Sequence, residues 1–199
     1  MQERDGIAEI RSLLNAFPTE PIDVIGQLKK YGVVGMLKAR DKLGRRILFL
    51  NAEKWDPDEI SSEQMTIMGL YLLERGLRDD DMMTNGIVFI HSCSGMGLKH
   101  AKLYTLHKTL RIINICWYSY PLKVKGIYYV NVPIYLVYLY KLVKPFLTSK
   151  FKERLKLSTK DNTFETLHEN LSPDLLPKCV GGILEDEEAF DWEFLETKL

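Results

Sequence analysis

The stretch from Gly126 to Leu147 constrains the fold more than any other part of the chain. It opens as a strand, because Ile127, Tyr128, Tyr129 and Val130 are branched or aromatic residues that suit a pleated, buried surface. Asn131 and Pro133 then break that strand. From Ile134 to Val143 the sole charge is Lys141, and Tyr135, Tyr138 and Tyr140 punctuate an aliphatic run. A helix over this run is apolar in almost every direction, so it is not an ordinary surface helix with one buried stripe. Pro145 lacks an amide and disfavours α geometry at Lys144, which predicts a kink or an end there. A membrane span needs about 20 apolar residues, and Lys141, Lys144 and Pro145 cut this run short. Two readings stay open on composition: a fully buried core helix, or a lid. The lid closes an apolar cavity with one face and meets light cover or a membrane with the other.

The 199 residues suffice for one domain, or one domain with a small appendage. With 46% hydrophobic and 27% charged residues, the chain reads as globular and able to bury a core. Lys+Arg and Asp+Glu stand at 27 each, so no global field favours nucleic acid, and none is expected as a partner. Charge is uneven locally. Lys141 to Lys160 is strongly basic, with Glu153 its one acid, whereas Glu185 to Glu196 is acidic without a base. Cys93, Cys116 and Cys179 are too few and too scattered for a disulfide framework or a zinc site. The first residues lack a signal-peptide layout, and neither terminus carries a lipidation box, so a cytoplasmic setting is expected.

Along the chain, Ile7, Ile10, Leu14 and Phe17 predict a short amphipathic helix over Asp5 to Phe17, with Pro18 and Pro21 as a connector. Ile22 to Tyr31 reads as a helix closed by Gly32. Val34 to Leu50 reads as a hairpin turning at Asp41-Lys-Leu-Gly44. Ser61 or Ser62 caps a helix carrying Met65, Met68, Leu72 and Leu73. Gly86 to Ile90 is a continuous apolar strand, which implies burial on both faces. Leu98 to Trp117 reads as one long helix with Ala101, Tyr104, Lys108 and Ile112 along a line. A third core strand runs from Lys125 to Val130; Thr148 caps Ser149 to Leu155; Leu155 to Leu157 adds a short strand; and Asn162 to Glu169 forms a helix. Phe190, Phe194 and Leu195 are placed to dock the acidic segment while its carboxylates stay wet. Alternation of buried strands and helices predicts an α/β domain on a parallel or mixed sheet.

No catalytic constellation is legible. Gly95-Met-Gly97 lacks the third glycine of a dinucleotide turn, since His100 stands there. Ser92 and Ser94 lie in no Gly-x-Ser-x-Gly elbow. His91, His100, His107 and His168 show no metal-ligand spacing. Enzymatic activity, a metal and a cofactor are therefore not expected. The basic residues say more. Lys123 and Lys125 begin the third core strand, and Lys150 and Arg154, four apart, share a helical face just past the apolar run. If the fold joins strand start to helix end, four cations converge beside an apolar lid and suit an anionic lipid head group, at about 1 kcal/mol per charge.

Six stretches together resemble the CRAL-TRIO lipid-binding domains, most closely the branch of alpha-tocopherol transfer protein and cellular retinaldehyde-binding protein. They are Asp41-Lys-Leu-Gly-Arg-Arg-Ile-Leu, Trp55-Asp-Pro, Asn85-Gly-Ile-Val-Phe-Ile, Pro121-Leu-Lys-Val-Lys-Gly-Ile-Tyr-Tyr-Val-Asn-Val-Pro, Val143-Lys-Pro-Phe-Leu-Thr-Ser-Lys-Phe-Lys-Glu-Arg-Leu and Leu176-Pro-Lys-Cys-Val-Gly-Gly. They run in order from about Val24 to Gly182. The resemblance implies a mixed, mostly parallel β-sheet floor and flanking helices around a hydrophobic cavity, with Ile134 to Leu147 as a mobile gate. On that footing the cavity and gate residues are Ile90, Tyr129, Val130, Ile134, Tyr135, Val137, Tyr138, Leu139, Leu142, Val143, Phe146 and Leu147. It also implies that Lys123, Lys125, Lys150 and Arg154 take a phosphatidylinositol phosphate head group at the membrane.

Departures from the family pattern accompany the match. Ser92 and Ser94 stand in a loop that commonly holds an acid, and Cys179-Val180 replaces a usual Glu-Tyr. Leu122 replaces the glutamate with which yeast-type members hold inositol. The family's N-terminal helical bundle is mostly missing, leaving residues 1–20 as a remnant before a lipid-binding domain over 21–184 and an acidic tail over 185–199. The expected function is cytosolic binding and intermembrane transfer of a small tocopherol-, retinoid- or carotenoid-type lipid, with phosphoinositide membranes promoting gate opening. The alternative is a lipid-regulated membrane adaptor without transfer activity. The sequence leaves oligomeric state open.

Overall fold

A computed structural model describes residues 23–159 and 164–196. The helix expected over Asp5 to Phe17 and its proline connector lie outside the described residues. The first described helix, α1 (Val24–Tyr31), is capped by the Asp23 carboxylate and closed by Gly32 at φ 58°. The expected hairpin follows as β1 (Val34–Arg40) and β2 (Arg46–Asn51), antiparallel. Asp41 builds the turn, accepting from the amides of Leu43 and Arg45 at 2.9 and 3.0 Å.

The remaining strands, β3 (Ile87–Ser92), β4 (Val124–Val130) and β5 (Leu155–Leu157), pair in parallel and complete a five-stranded sheet in sequential order. Parallel neighbours require crossovers that return the chain to the starting edge. Each crossover here steps the same way, so right-handed connections put the intervening helices on one face. Those helices are α2 (Ser62–Gly76), α3 (Asp80–Asn85), α4 (Leu98–Ala101), α5 (Leu106–Ile113), α6 (Ile134–Val143) and α7 (Ser149–Arg154). Ser61 and Gln64 form a capping box on α2, and Thr148 caps α7 by accepting from the Phe151 amide.

Strand alternation divides the interior into two cores. Leu48, Phe89 and Ile127 face the helices, while Phe49, Val88, Ile90, Tyr128 and Val130 face the opposite side. That far side is covered by the C-terminal segment, through Leu167 on α8 (Glu165–His168) and through Leu171, Leu176 and Val180. Residues 160–163, where the expected Asn162 to Glu169 helix begins, lie outside the described residues. The Leu-Pro…Gly-Gly stretch is a tight return: Gly181 has φ 75°, and the Lys178 amide donates to the Leu184 carbonyl at 2.9 Å.

Two expectations differ from the structure. The long helix over Leu98 to Trp117 is interrupted, because Thr105 caps a fresh helix at α5 by accepting from the Lys108 amide. Its end then widens into a π-helix over Asn114–Ser119. The acidic segment docks through Phe190, Phe194 and Leu195 as expected, yet its carboxylates are not all wet. Asp186, leading α9 (Asp186–Ala189), pairs with Lys54, and Asp191, before α10 (Trp192–Glu196), pairs with the buried Arg46.

Candidate functional site

Where β4 ends, Asn131 adopts φ 55° and donates from Nδ2 to Ser94 Oγ at 2.7 Å, turning the chain back over the sheet. Pro133 leads into α6. The α-helix stops at Val143, and Lys144–Phe146 continue as a 3-10 turn containing Pro145, which has no amide for a further α-helical bond.

Beneath α6 lies a cavity of about 230 Å³. Its floor is Leu48, Leu50, Phe89, His91 and Tyr129. Its walls are Met65, Gly69 and Leu73 of α2, with Thr109, Ile113 and Trp117 opposite. Its roof is Leu136, Leu139, Tyr140, Val143 and Leu147. The other face of α6 carries Ile134, Tyr138, Leu142 and Phe146, which are 65, 59, 61 and 62% exposed. Their spacing of four places them along one line of the helix and its 3-10 extension. The helix is therefore apolar on both faces, one over the cavity and one in solvent.

Of the residues anticipated for the cavity, Tyr129, Leu139, Val143 and Leu147 line it. Ile134, Tyr138, Leu142 and Phe146 point outward, while Tyr135 and Val137 are half-buried on α6. Ile90 and Val130 are corrected: both belong to the opposite core. Their chain neighbours Phe89, His91 and Tyr129 take the inward positions, since adjacent strand residues face opposite ways. The signal that identifies them was present in that alternation. Thr109, Trp117 and Gly69 were missed because they come from helices whose facing depends on tertiary packing.

Apart from exposed Lys108, the described cavity lining carries no charged side chain. Burial lowers the His91 imidazole to about 4 and pushes the Cys116 thiol up to about 12. Burial likewise raises the phenols of Tyr104 and Tyr129. Lys108, which is exposed, is the one cation among the described lining residues. The described residues hold no group of three or more His, Cys, Asp or Glu suited to a metal ion. No helix among them is long and apolar enough to cross a membrane.

Of the four anticipated cations, the strand register brings Arg154 level with the start of β4. β5 pairs with β4 through Ile127 and Leu155, so Arg154 at the end of α7 arrives beside the start of β4, where Lys123 and Lys125 stand. Lys150 lies in the first turn of the same helix. Lys123 Nζ donates to the Thr84 carbonyl at 3.3 Å, and none of the four pairs with a carboxylate among the described residues.

Comparison with known proteins agrees with this geometry. Clavesin-1 of Xenopus laevis is 33% identical over 161 residues, covering 81% of this chain and 48% of the relative. Clavesin-2 of Homo sapiens is 32% identical over 168 residues, covering 84% and 51%. The chain thus spans about half the length of these curated relatives. The crystal structure of Sfh5 matches with a TM-score of 0.63 over 90% of this chain and 63% of that one, at 16% identity, a likeness of fold. These relatives are clavesins, so the sequence match is to the family rather than to its tocopherol and retinaldehyde branch. The CRAL/TRIO domain model matches residues 29–182, and with the cavity, its two-faced helix and the mostly parallel sheet, the chain belongs to the CRAL/TRIO domain family.

Proposed function

We propose that this chain binds a small hydrophobic lipid of the tocopherol, retinoid or carotenoid type and carries it between membranes from the cytoplasm. The observation that carries the reading is the double apolar face of α6, with Leu139 and Val143 over the cavity and Tyr138 and Leu142 in solvent. A ligand with about 400 Å² of apolar surface gains about 10 kcal/mol on leaving water, at about 25 cal/mol per Å². Release must therefore be coupled to something that a membrane supplies. Insertion of the outer face of α6 stabilises an open gate at the bilayer, and Lys123, Lys125, Lys150 and Arg154 add attraction to phosphoinositide head groups. Protein and membrane then meet transiently and peripherally.

The test is transfer of a fluorescent tocopherol analogue between vesicles with and without phosphatidylinositol bisphosphate. The quadruple variant Lys123→Glu, Lys125→Glu, Lys150→Glu, Arg154→Glu is expected to lose the acceleration by the acidic lipid and to keep ligand binding. Unchanged transfer removes these four cations from the mechanism. Binding without transfer in the native chain favours the lipid-regulated adaptor instead.

A further inference from the structure

Two polar atoms in the cavity wall have no hydrogen-bond partner, His91 Nε2 and Thr109 Oγ1, and both are buried. Such groups are uncommon in folded proteins because each forfeits its hydration without replacement. Local structure does not account for either. Thr66, a helical threonine also lining the cavity, returns its hydroxyl to the Ser62 carbonyl at 2.8 Å, a usual solution in helices. Thr109 has the same opportunity four residues after Thr105, whose carbonyl accepts the Thr109 amide at 2.9 Å, yet its hydroxyl does not take it. His91 stands on β3 facing the cavity, its ring 4.4 Å from that of Tyr129. It shares no bond with Ser92, whose hydroxyl is also unpartnered but does not line the cavity.

Resting on the reading of this cavity as a lipid site, we propose that His91 and Thr109 receive the polar end of an uncharged single-chain lipid bearing one hydroxyl or carbonyl group. The donor chemistry fits. A neutral imidazole offers one donor and one acceptor nitrogen, and a threonine hydroxyl does both, so the pair serves an alcohol or a carbonyl in either sense. The charge pattern excludes the alternatives. A carboxylate or phosphate drawn to this depth meets no cation among the described lining residues except exposed Lys108, and burying an unpaired ion is far costlier than burying a hydroxyl. Size agrees as well: about 230 Å³ lies below the roughly 300–1,000 Å³ of sites for drug-sized ligands, which favours one chain over a two-chain phospholipid.

The test offers radiolabelled hexadecanol, palmitate, hexadecane and dipalmitoylphosphatidylcholine, each at equal mole fraction in vesicles, to the full chain. Label co-eluting with protein on gel filtration is then measured. Hexadecanol is expected to be retained about a hundredfold more than hexadecane, two hydrogen bonds at about tenfold each, and well above palmitate and the phospholipid. Thr109→Val, which keeps shape and removes the hydroxyl, and separately His91→Phe, are each expected to lower hexadecanol retention about tenfold and leave hexadecane unchanged. Thermal melting verifies that each variant folds, and the near-isosteric Thr109→Val suffices where the larger change does not. Equal retention of hexadecane or palmitate, or undiminished hexadecanol retention by Thr109→Val, overturns the proposal while leaving the cavity a lipid site. Retention of none of the four overturns the lipid reading as well.

Discussion

Arg46 donates from Nη1 to Asp191 Oδ2 at 2.7 Å, and its Nη2 donates to Asp79 Oδ2 at 2.6 Å, so one guanidinium ties β2 to the start of α3 and to the C-terminal segment. Its carbon also lies 4.9 Å from the centre of the Phe194 ring. Burial pulls the Arg46 guanidinium down, but hydrogen bonds to Asp79 and Asp191 outweigh it and hold the group above its ordinary value. Asp79 is the mirror case: burial raises its carboxyl, and Arg46 with the Met82 amide more than reverses this. A depressed carboxylate contributes stability that is present above its unfolded value, near 3.8, and is lost as pH falls through the lower folded value. Asp191→Asn is therefore expected to cost about 2 kcal/mol, below the 3–5 of a fully buried pair, in urea melts at pH 7. In the native chain, stability should fall as pH drops below 3.8 toward the lower folded value of Asp79.

The same docking redefines what removal of the acidic segment does. Phe190 is buried against Gly35 and bridges to Leu37, so deletion from Glu185 strips a side chain worth about 1.5–3 kcal/mol from the far core. Such a deletion is expected to lower the melting temperature by several degrees rather than remove a free appendage. An unchanged melt would show that the segment is held only loosely.

His91 gives a second acid dependence of opposite origin. Burial lowers its imidazole from 6.5 to about 4, so the folded chain resists a proton that the unfolded chain accepts. Stability is then expected to fall between about pH 6.5 and pH 4, with a full difference of about 3.5 kcal/mol at about 1.4 kcal/mol per pKa unit. His91→Gln removes the titrating group and should flatten the profile in that window. A slope of equal size in the variant assigns the titration elsewhere.

The exposed line on α6 yields a prediction that separates stability from membrane docking. Leu142→Ser with Phe146→Ser changes two side chains in solvent, so the unfolding free energy in urea should change by less than about 0.5 kcal/mol. Each side chain, if taken up by a bilayer, contributes about 1.5–3 kcal/mol. Association of the double variant with phosphoinositide vesicles in sedimentation is expected to fall at least tenfold. Equal association shows that this face stays outside the bilayer.

Much of this architecture was legible because it is local. Val34 to Leu50 reads as a hairpin, Gly86 to Ile90 as a strand buried on both faces, Asn131 and Pro133 as a break, and Pro145 as a kink or helix end; each follows from backbone chemistry within a few residues. The apolar surround of α6 was legible for the same reason, while composition left open whether the helix is buried throughout or covered on one face only. What stayed hidden depends on distant packing. The break before α5 is made by a Thr105 cap that competes with an otherwise helical pattern, and the inward choice of Phe89 over Ile90 is set by which face α2 and α5 cover. The site behaves alike: its outline is written in one stretch, while Gly69 and Thr109 enter it from helices that the sheet order brings together.

Gly69 sits in the interior of α2, where glycine costs about 1 kcal/mol relative to alanine. It borders the cavity, and a Cβ built there meets no atom within 4 Å. The helix thus carries a destabilising residue at a place where a larger one would project into open space beneath α6. Two substitutions divide the consequences. Gly69→Ala is expected to raise stability by about 0.5–1 kcal/mol in urea melts and to leave lipid retention nearly unchanged, because one methyl takes little of about 230 Å³. Gly69→Phe is expected to fold, drawing on the same relief of helix entropy and on added apolar contact, and to lose most lipid retention because its ring occupies the hollow. If the phenylalanine variant retains lipid as the native chain does, the ligand lies elsewhere than under this helix, and the cavity is a packing defect rather than a binding site.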